Sequence, residues 1–214
     1  MSYPEPTYIY HFTHAKNLPA ILSAGRVYCQ SQLPEGKREV DLSHLDLQDK
    51  RRRKHTGCGP GGTLHDFVPF YFAPRSPMMY RHSKNHTEQY QGGTTPLIYL
   101  VSTVQRIQEH RLEFVFSDGH PVVPLFSKFY DDIGHLGEID WKLMRSRYWF
   151  DTVGDPDRSR RRMAEFLVYG EFPWDAVEFL AVKNVRLKER LEGYLQREWP
   201  HRIKPVRVEA GWYF

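Results

Sequence analysis

Cysteine is nearly absent: Cys29 and Cys58 are the only two in 214 residues. They allow at most one internal bridge and lack the paired spacing of a zinc site, so neither a disulfide scaffold nor a structural zinc is expected. Long apolar runs are missing too. Nothing approaches the roughly 18 uncharged apolar residues that a membrane-spanning helix needs. The first ten residues, MSYPEPTYIY, have no basic stretch leading into an apolar one. A cytoplasmic protein without a membrane partner is therefore expected. Internal repeats, low-complexity tails and linkers are also absent. The scattered His65, Asp66, His120, His135 and Glu138 do not converge in spacing on a metal, and no metal site is assigned.

What the chain does have is 40% hydrophobic and 14% aromatic residues, enough for a packed core, and a length that suits one domain over residues 1–214. The net charge of +4 is modest but unevenly placed. Lys50-Arg51-Arg52-Arg53-Lys54 is an unbroken basic run, and Arg158, Arg160, Arg161 and Arg162 form a second. Each is either a solvated face or a phosphate-attracting patch.

β-Favouring composition marks strands at 8–13, 66–72, 97–103, 112–117, 162–169, 176–182 and 205–209. Helical spacing marks helices at 15–24, 140–149 and 184–198. Segments 33–44 and 83–96 are polar enough for loops. Gly25 is placed to end the first helix, and Pro69 is expected to put its strand at an edge or a bulge. Strands outnumber helices without alternating with them, which points to a mixed, largely antiparallel α+β domain.

Two features are candidates for chemistry. In the first strand the two-residue period puts Ile9, His11 and Thr13 on one face and Tyr8, Tyr10 and Phe12 on the other. His11 and Thr13 are then either a hydrogen-bonded core pair or a polar dock for a ligand. In Arg162-Met163-Ala164-Glu165-Phe166-Leu167-Val168-Tyr169 a carboxylate sits among apolar neighbours. Burying an unpaired charge is costly, so Glu165 belongs either to a site or to the solvent face of an edge strand. The Gly57–Gly62 loop matches neither a P-loop nor a dinucleotide fingerprint. Rings are dense near the basic runs, and basic plus aromatic is the pairing that single strands need. Tyr71 and Trp149 are the stacking candidates.

Taken in order, Tyr10-His11-Phe12-Thr13 with Asn17-Leu18 and Ile21-Leu22, then Gly61–Phe72, Arg75-Ser76-Pro77-Met78, Tyr90-Gln91-Gly92-Gly93, Arg147-Tyr148-Trp149, Asp155-Pro156-Asp157-Arg158 and Ala164–Val168, resemble the DarT family, DNA ADP-ribosyltransferase toxins of DarT–DarG toxin–antitoxin pairs. The resemblance implies an ADP-ribosyltransferase-like split, mainly antiparallel β-sheet with flanking helices and NAD in the cleft as co-substrate, without a metal. It also implies transfer of ADP-ribose to thymine in single-stranded DNA in a sequence-dependent manner, and a DarG-like macrodomain antitoxin as partner. By the same resemblance Glu165 is the catalytic glutamate and Arg51 a second catalytic residue that also contacts NAD. His11, Phe12, Thr13, Ala20, Tyr28 and Tyr71 fall in the NAD site. Ala20 stands where relatives often carry glycine, and Tyr28 where they carry an aliphatic residue. The stretch 118–164 resembles the substrate-recognising loop, with Arg53, His120, Tyr148, Trp149, Arg158 and Arg160 as DNA contacts. Two other readings fit parts of the pattern: an NAD-dependent RNA 2′-phosphotransferase, and a non-catalytic module that binds single strands.

Overall fold

The computed structural model describes residues 3–86, 89–123 and 127–214. Parts of the expected loops at 83–96 and 118–164 lie outside the described residues. Among the described residues ten strands form: β1 Tyr8–His14, β2 Arg26–Tyr28, β3 Phe67–Tyr71, β4 Leu97–Thr103, β5 Phe114–Ser117, β6 Phe129–Tyr130, β7 Glu165–Tyr169, β8 Glu171–Pro173, β9 Phe179–Val182 and β10 Val206–Val208. The helices are α1 Leu18–Ala24, α2 Leu45–Arg53, α3 Pro77–Ser83, α4 Val104–Glu109, α5 Trp141–Arg145, α6 Arg158–Arg162 and α7 Val185–Glu198. Eight strands make one sheet in the order β10-β9-β4-β1-β3-β7-β5-β6, while β2 and β8 pair separately. Every pairing in the large sheet is antiparallel except β10 on β9. The mixed, mostly antiparallel architecture read from the sequence is the one found.

The two-residue period divides the core between the sheet's faces. Ile9, Phe70, Leu100, Phe116, Phe166 and Leu180 bury one face against Leu18 and Leu22 of α1 and Leu187, Leu191 and Leu195 of α7. Burying a leucine fully stabilises by about 1.5–3 kcal/mol, which is why spacing by four along α7 suffices to dock it. On the other face Tyr99, Val101 and Phe179 pack with Met79 of α3 and Tyr213, and Tyr8, Tyr10 and Phe12 lean on that cluster. The α1 helix ends at Gly25, whose φ of 72° is the left-handed conformation glycine adopts without strain.

Pro69 has a consequence that its residue type only half predicts. Its strand is internal, flanked by β1 and β7, yet β1 and β3 share a single register pair, Tyr10 with Tyr71, against five between β3 and β7. The Pro69 carbonyl faces β1, where His11 Nδ1 meets it at 2.8 Å. A strand residue's N–H and C=O point to the same side, so the donor that proline lacks is missing on the β1 side. The sheet opens there.

Two expected element limits need correcting. The strand expected at 162–169 begins only at Glu165, because Arg158–Arg162 coils into α6. The helix expected at 140–149 stops at Arg145, because the buried Arg162 guanidinium takes the carbonyls of Leu143, Met144 and Ser146 that would continue it. The first basic run lies on α2, a helix that no periodicity announced.

Candidate active site

A cavity of about 210 Å³ lies where the sheet opens, and its walls include His11, Phe12, Thr13, Ala20, Tyr28, Arg51 and Tyr71, all seven residues assigned to the cofactor. His11 supplies a neutral ring: burial, opposed by the Pro69 hydrogen bond, brings its pKa down to about 4. A carbonyl only accepts, so the proton sits on Nδ1 and Nε2 keeps its lone pair. Phe12 lies parallel to Tyr71, ring centroids 6.2 Å apart. Burial, with the Glu165 charge second, keeps the Tyr71 hydroxyl protonated. Tyr71 is thus part of this cavity's wall, while the other stacking candidate lies in a different one.

Glu165 opens β7 directly opposite Tyr71 of β3 and is 3% exposed. Its N–H donates to Ser117 Oγ at 3.2 Å, and that hydroxyl donates to the Gly119 carbonyl at 2.7 Å, which fixes the start of the strand from β5. From α2, Arg51 Nη1 donates to both carboxylate oxygens, at 2.9 and 3.1 Å. Burial raises the Glu165 pKa and the Arg51 charge opposes the rise. The other terminal nitrogen of Arg51, Nη2, is buried with no partner among the described residues. Buried donors are almost always paired, so an unused one on a cavity wall marks a place for a ligand acceptor.

A second cavity, of about 480 Å³, takes Leu47 of α2, Tyr80 and Arg81 of α3, His120, Trp149, Phe150 and Met163 into its walls. Helix α2 lends Leu47 to this cavity and Arg51 to the other, and Met163, two residues before Glu165, lines this one; of the ion pair itself Arg51 lines the first cavity and Glu165 lies behind it. His120 Nδ1 and Trp149 Nε1 are likewise buried without partners among the described residues. Burial, with Arg51 and Lys50 adding to it, lowers the His120 pKa to about 4. Trp149 is 4% exposed and edge-on to Tyr80, whereas Tyr148 is 69% and Phe150 47% exposed.

The second basic run is largely engaged internally. Arg158 donates to the carbonyls of Tyr148 and Phe150, Arg160 grips Asp157 and approaches Asp118, and Arg161 joins Asp140 and Asp155. These contacts brace the segment carrying Tyr148 and Trp149. Arg53 is exposed at the end of α2. The reading from residue types passed over Ser117, which seats Glu165, and counted Arg162 in a basic run, though it is buried. Among the described residues no group of three His, Cys, Asp or Glu is placed to hold a metal. No described helix is long and apolar enough to cross a membrane.

The family model for "ssDNA thymidine ADP-ribosyltransferase, DarT" matches residues 10–214. A curated DNA ADP-ribosyl transferase of Thermus sp. (strain 2.9) is 40% identical over 214 residues, spanning 100% of this chain and 99% of the relative. Among solved structures, Thermus sp. 2.9 DarT in complex with ADP-ribosylated ssDNA superposes with a TM-score of 0.93 at 38% identity, covering 100% of this chain and 99% of the other. The same protein in complex with NAD+ gives 0.88 at 38% identity, with full coverage of both chains. Sharing this fold and matching the family model over nearly its whole length, the chain belongs to the DarT family of DNA ADP-ribosyltransferases.

Proposed function

We propose that this protein transfers ADP-ribose from NAD to a thymine base of single-stranded DNA, in a sequence-dependent manner and with release of nicotinamide, and that residues 1–214 act as one catalytic unit. The observation that carries this assignment of roles is the buried Glu165–Arg51 pair, whose arginine lines the first cavity with an unused guanidinium nitrogen. NAD occupies the cavity lined by His11, Thr13 and Tyr71, and the acceptor base enters beside His120 and Trp149.

When the ribose–nicotinamide bond breaks, its electron pair leaves with nicotinamide and positive charge develops on the sugar, as in glycoside cleavage. A carboxylate at Glu165 stabilises that charge and binds a ribose hydroxyl most strongly in the transition state. Strand placement, with Ser117 behind its N–H, holds the carboxylate rigidly. The acceptor nitrogen of thymine loses its proton as it attacks the sugar, and the neutral His120, whose Nδ1 is buried without a partner among the described residues, is the group that receives it. Guanidinium is effectively always charged, so Arg51 serves as the group that stabilises the developing base anion through Nη2, or the NAD diphosphate before it. Around them Tyr148, Arg158, Arg160 and the exposed Arg53 favour a single strand by stacking and phosphate attraction. On the strength of family membership, a DarG-like macrodomain protein is the partner that reverses the mark, and the cytoplasm is where both act.

The test is to mix the protein with NAD and thymine-containing single-stranded oligonucleotides, follow nicotinamide, and locate the adduct by mass spectrometry. A binding module releases no nicotinamide, and a phosphotransferase requires a 2′-phosphate on RNA.

A further inference from the structure

Asn17 has no part in the chemistry above, yet its amide is more completely engaged than most on the cavity wall. It is 6% exposed. Nδ2 donates to Thr13 Oγ1 at 3.1 Å and to the Val40 carbonyl at 2.8 Å, while Oδ1 accepts from the N–H groups of Glu39 and Val40, both at 2.9 Å. Two donors and two lone pairs are all that a side-chain amide has. Nothing is left for a ligand, so Asn17 acts through what it holds.

What it holds is the segment 33–44, which contains neither helix nor strand and contributes Lys37, Arg38, Val40, Asp41 and Ser43 to the first cavity. Three of the four bonds go to backbone at Glu39 and Val40. The ion pairs of this segment are more exposed: the Lys16–Glu39 side chains are 61% and 59% open to solvent, and those of Arg38–Asp41 28% and 44%. Pairs of that kind are screened and hold little. The fourth bond makes the Thr13 oxygen an acceptor, which turns its own hydrogen elsewhere, and Thr13 also lines the cavity.

We propose that Asn17 is a positioning residue for NAD, clipping segment 33–44 in place as a wall of the cofactor cavity and orienting the Thr13 hydroxyl. The proposal rests on NAD occupying that cavity, as argued above. Without the clip, ordering of the segment must be achieved anew each time NAD binds, and the cost falls on affinity for NAD.

Steady-state nicotinamide release at saturating thymine oligonucleotide, with NAD varied, tests it alongside hydrogen exchange at residues 39 and 40. Asn17→Ala should raise KM for NAD by about tenfold or more, the ordering cost appearing in binding. Its kcat and its affinity for the oligonucleotide should stay near the parental values, and the Glu39 and Val40 amides should exchange faster. Asn17→Asp, which still accepts from both amides, should restore their protection and move KM back toward the parental value. A parental KM for NAD in Asn17→Ala, or a fall in kcat with KM unmoved, overturns the proposal while leaving the functional reading intact. If Asn17→Ala does not fold, exchange in the parental protein decides: protection at Glu39 and Val40 that deepens with NAD upholds the clip, and free exchange overturns it. A parental protein that neither binds nor turns over NAD overturns the functional reading, and this inference with it.

Discussion

Replacing Arg51 by alanine tests the electrostatics of the site most directly, because it leaves a carboxylate that is 3% exposed without its counter-charge. Two unit charges about 4 Å apart, at an effective dielectric constant of about 20, attract by roughly 4 kcal/mol. Burial already holds this pKa above the usual carboxylate value, and Arg51 is what opposes the rise. Removing the guanidinium favours the protonated acid, so the ionised form returns only at higher pH. The acid limb of nicotinamide release should therefore move to higher pH in Arg51→Ala. Stability carries the same sign. A folded-state pKa above the unfolded value of about 4.3 means that folding is favoured below that value and progressively disfavoured as pH rises toward the folded pKa. The Tm of Arg51→Ala should accordingly fall more steeply with pH across that window than that of the parental protein. Single-turnover rates and thermal melts on one pH series check both. An acid limb that stays in place, with parallel melting curves, would falsify the claim that Arg51 sets the state of Glu165.

Other outcomes follow from the same geometry. Glu165→Ala should abolish labelling of an oligonucleotide from NAD while leaving the fold and most DNA affinity in place, checked by mass spectrometry and a binding titration. Arg51→Ala should lose far more activity than Arg53→Ala, since Arg53 is exposed and lies away from Glu165 in the contacts of α2; equal losses would reduce the run to a phosphate patch. Phe166→Ala removes a fully buried ring stacked on Phe114 and Phe116. It should cost about 3–5 kcal/mol and lower Tm by roughly 6–20 °C, read by calorimetry. His11, held neutral by burial with its pKa about 4, should show no NMR titration between about pH 5.5 and 8, unlike an ordinary histidine.

Much of the fold was legible because burial imposes periodicity. β4 is buried along its whole length and α7 along a stripe of leucines, β1 is built of β-favouring residues, and the expected and observed limits of all three nearly coincide. Helix α2 was not legible for the complementary reason: it has no buried residue, hence no apolar stripe to repeat. Its one functional side chain reaches inward from a run of five basic residues that look alike in sequence. Arg162 misled for a related reason, since arginine is seldom buried, and here it is 2% exposed because three carbonyls receive it. Within the site, the face of β1 that carries His11 and Thr13 followed from alternation alone. That Glu165 is no solvent-facing edge residue did not, because its partner lies 114 positions away and only the fold brings them together.

The opening beside Pro69 also bears on mechanics. A continuous ladder resists shear evenly, whereas this one narrows to the Tyr10–Tyr71 pair between two stiffer blocks of strands. The line of least resistance therefore runs beneath the cavity, and a dinucleotide seated there acts as a brace across the seam. A mutation that restored an N–H at position 69 would then offer the two blocks a chance to zip together, exchanging a binding groove for a stronger sheet.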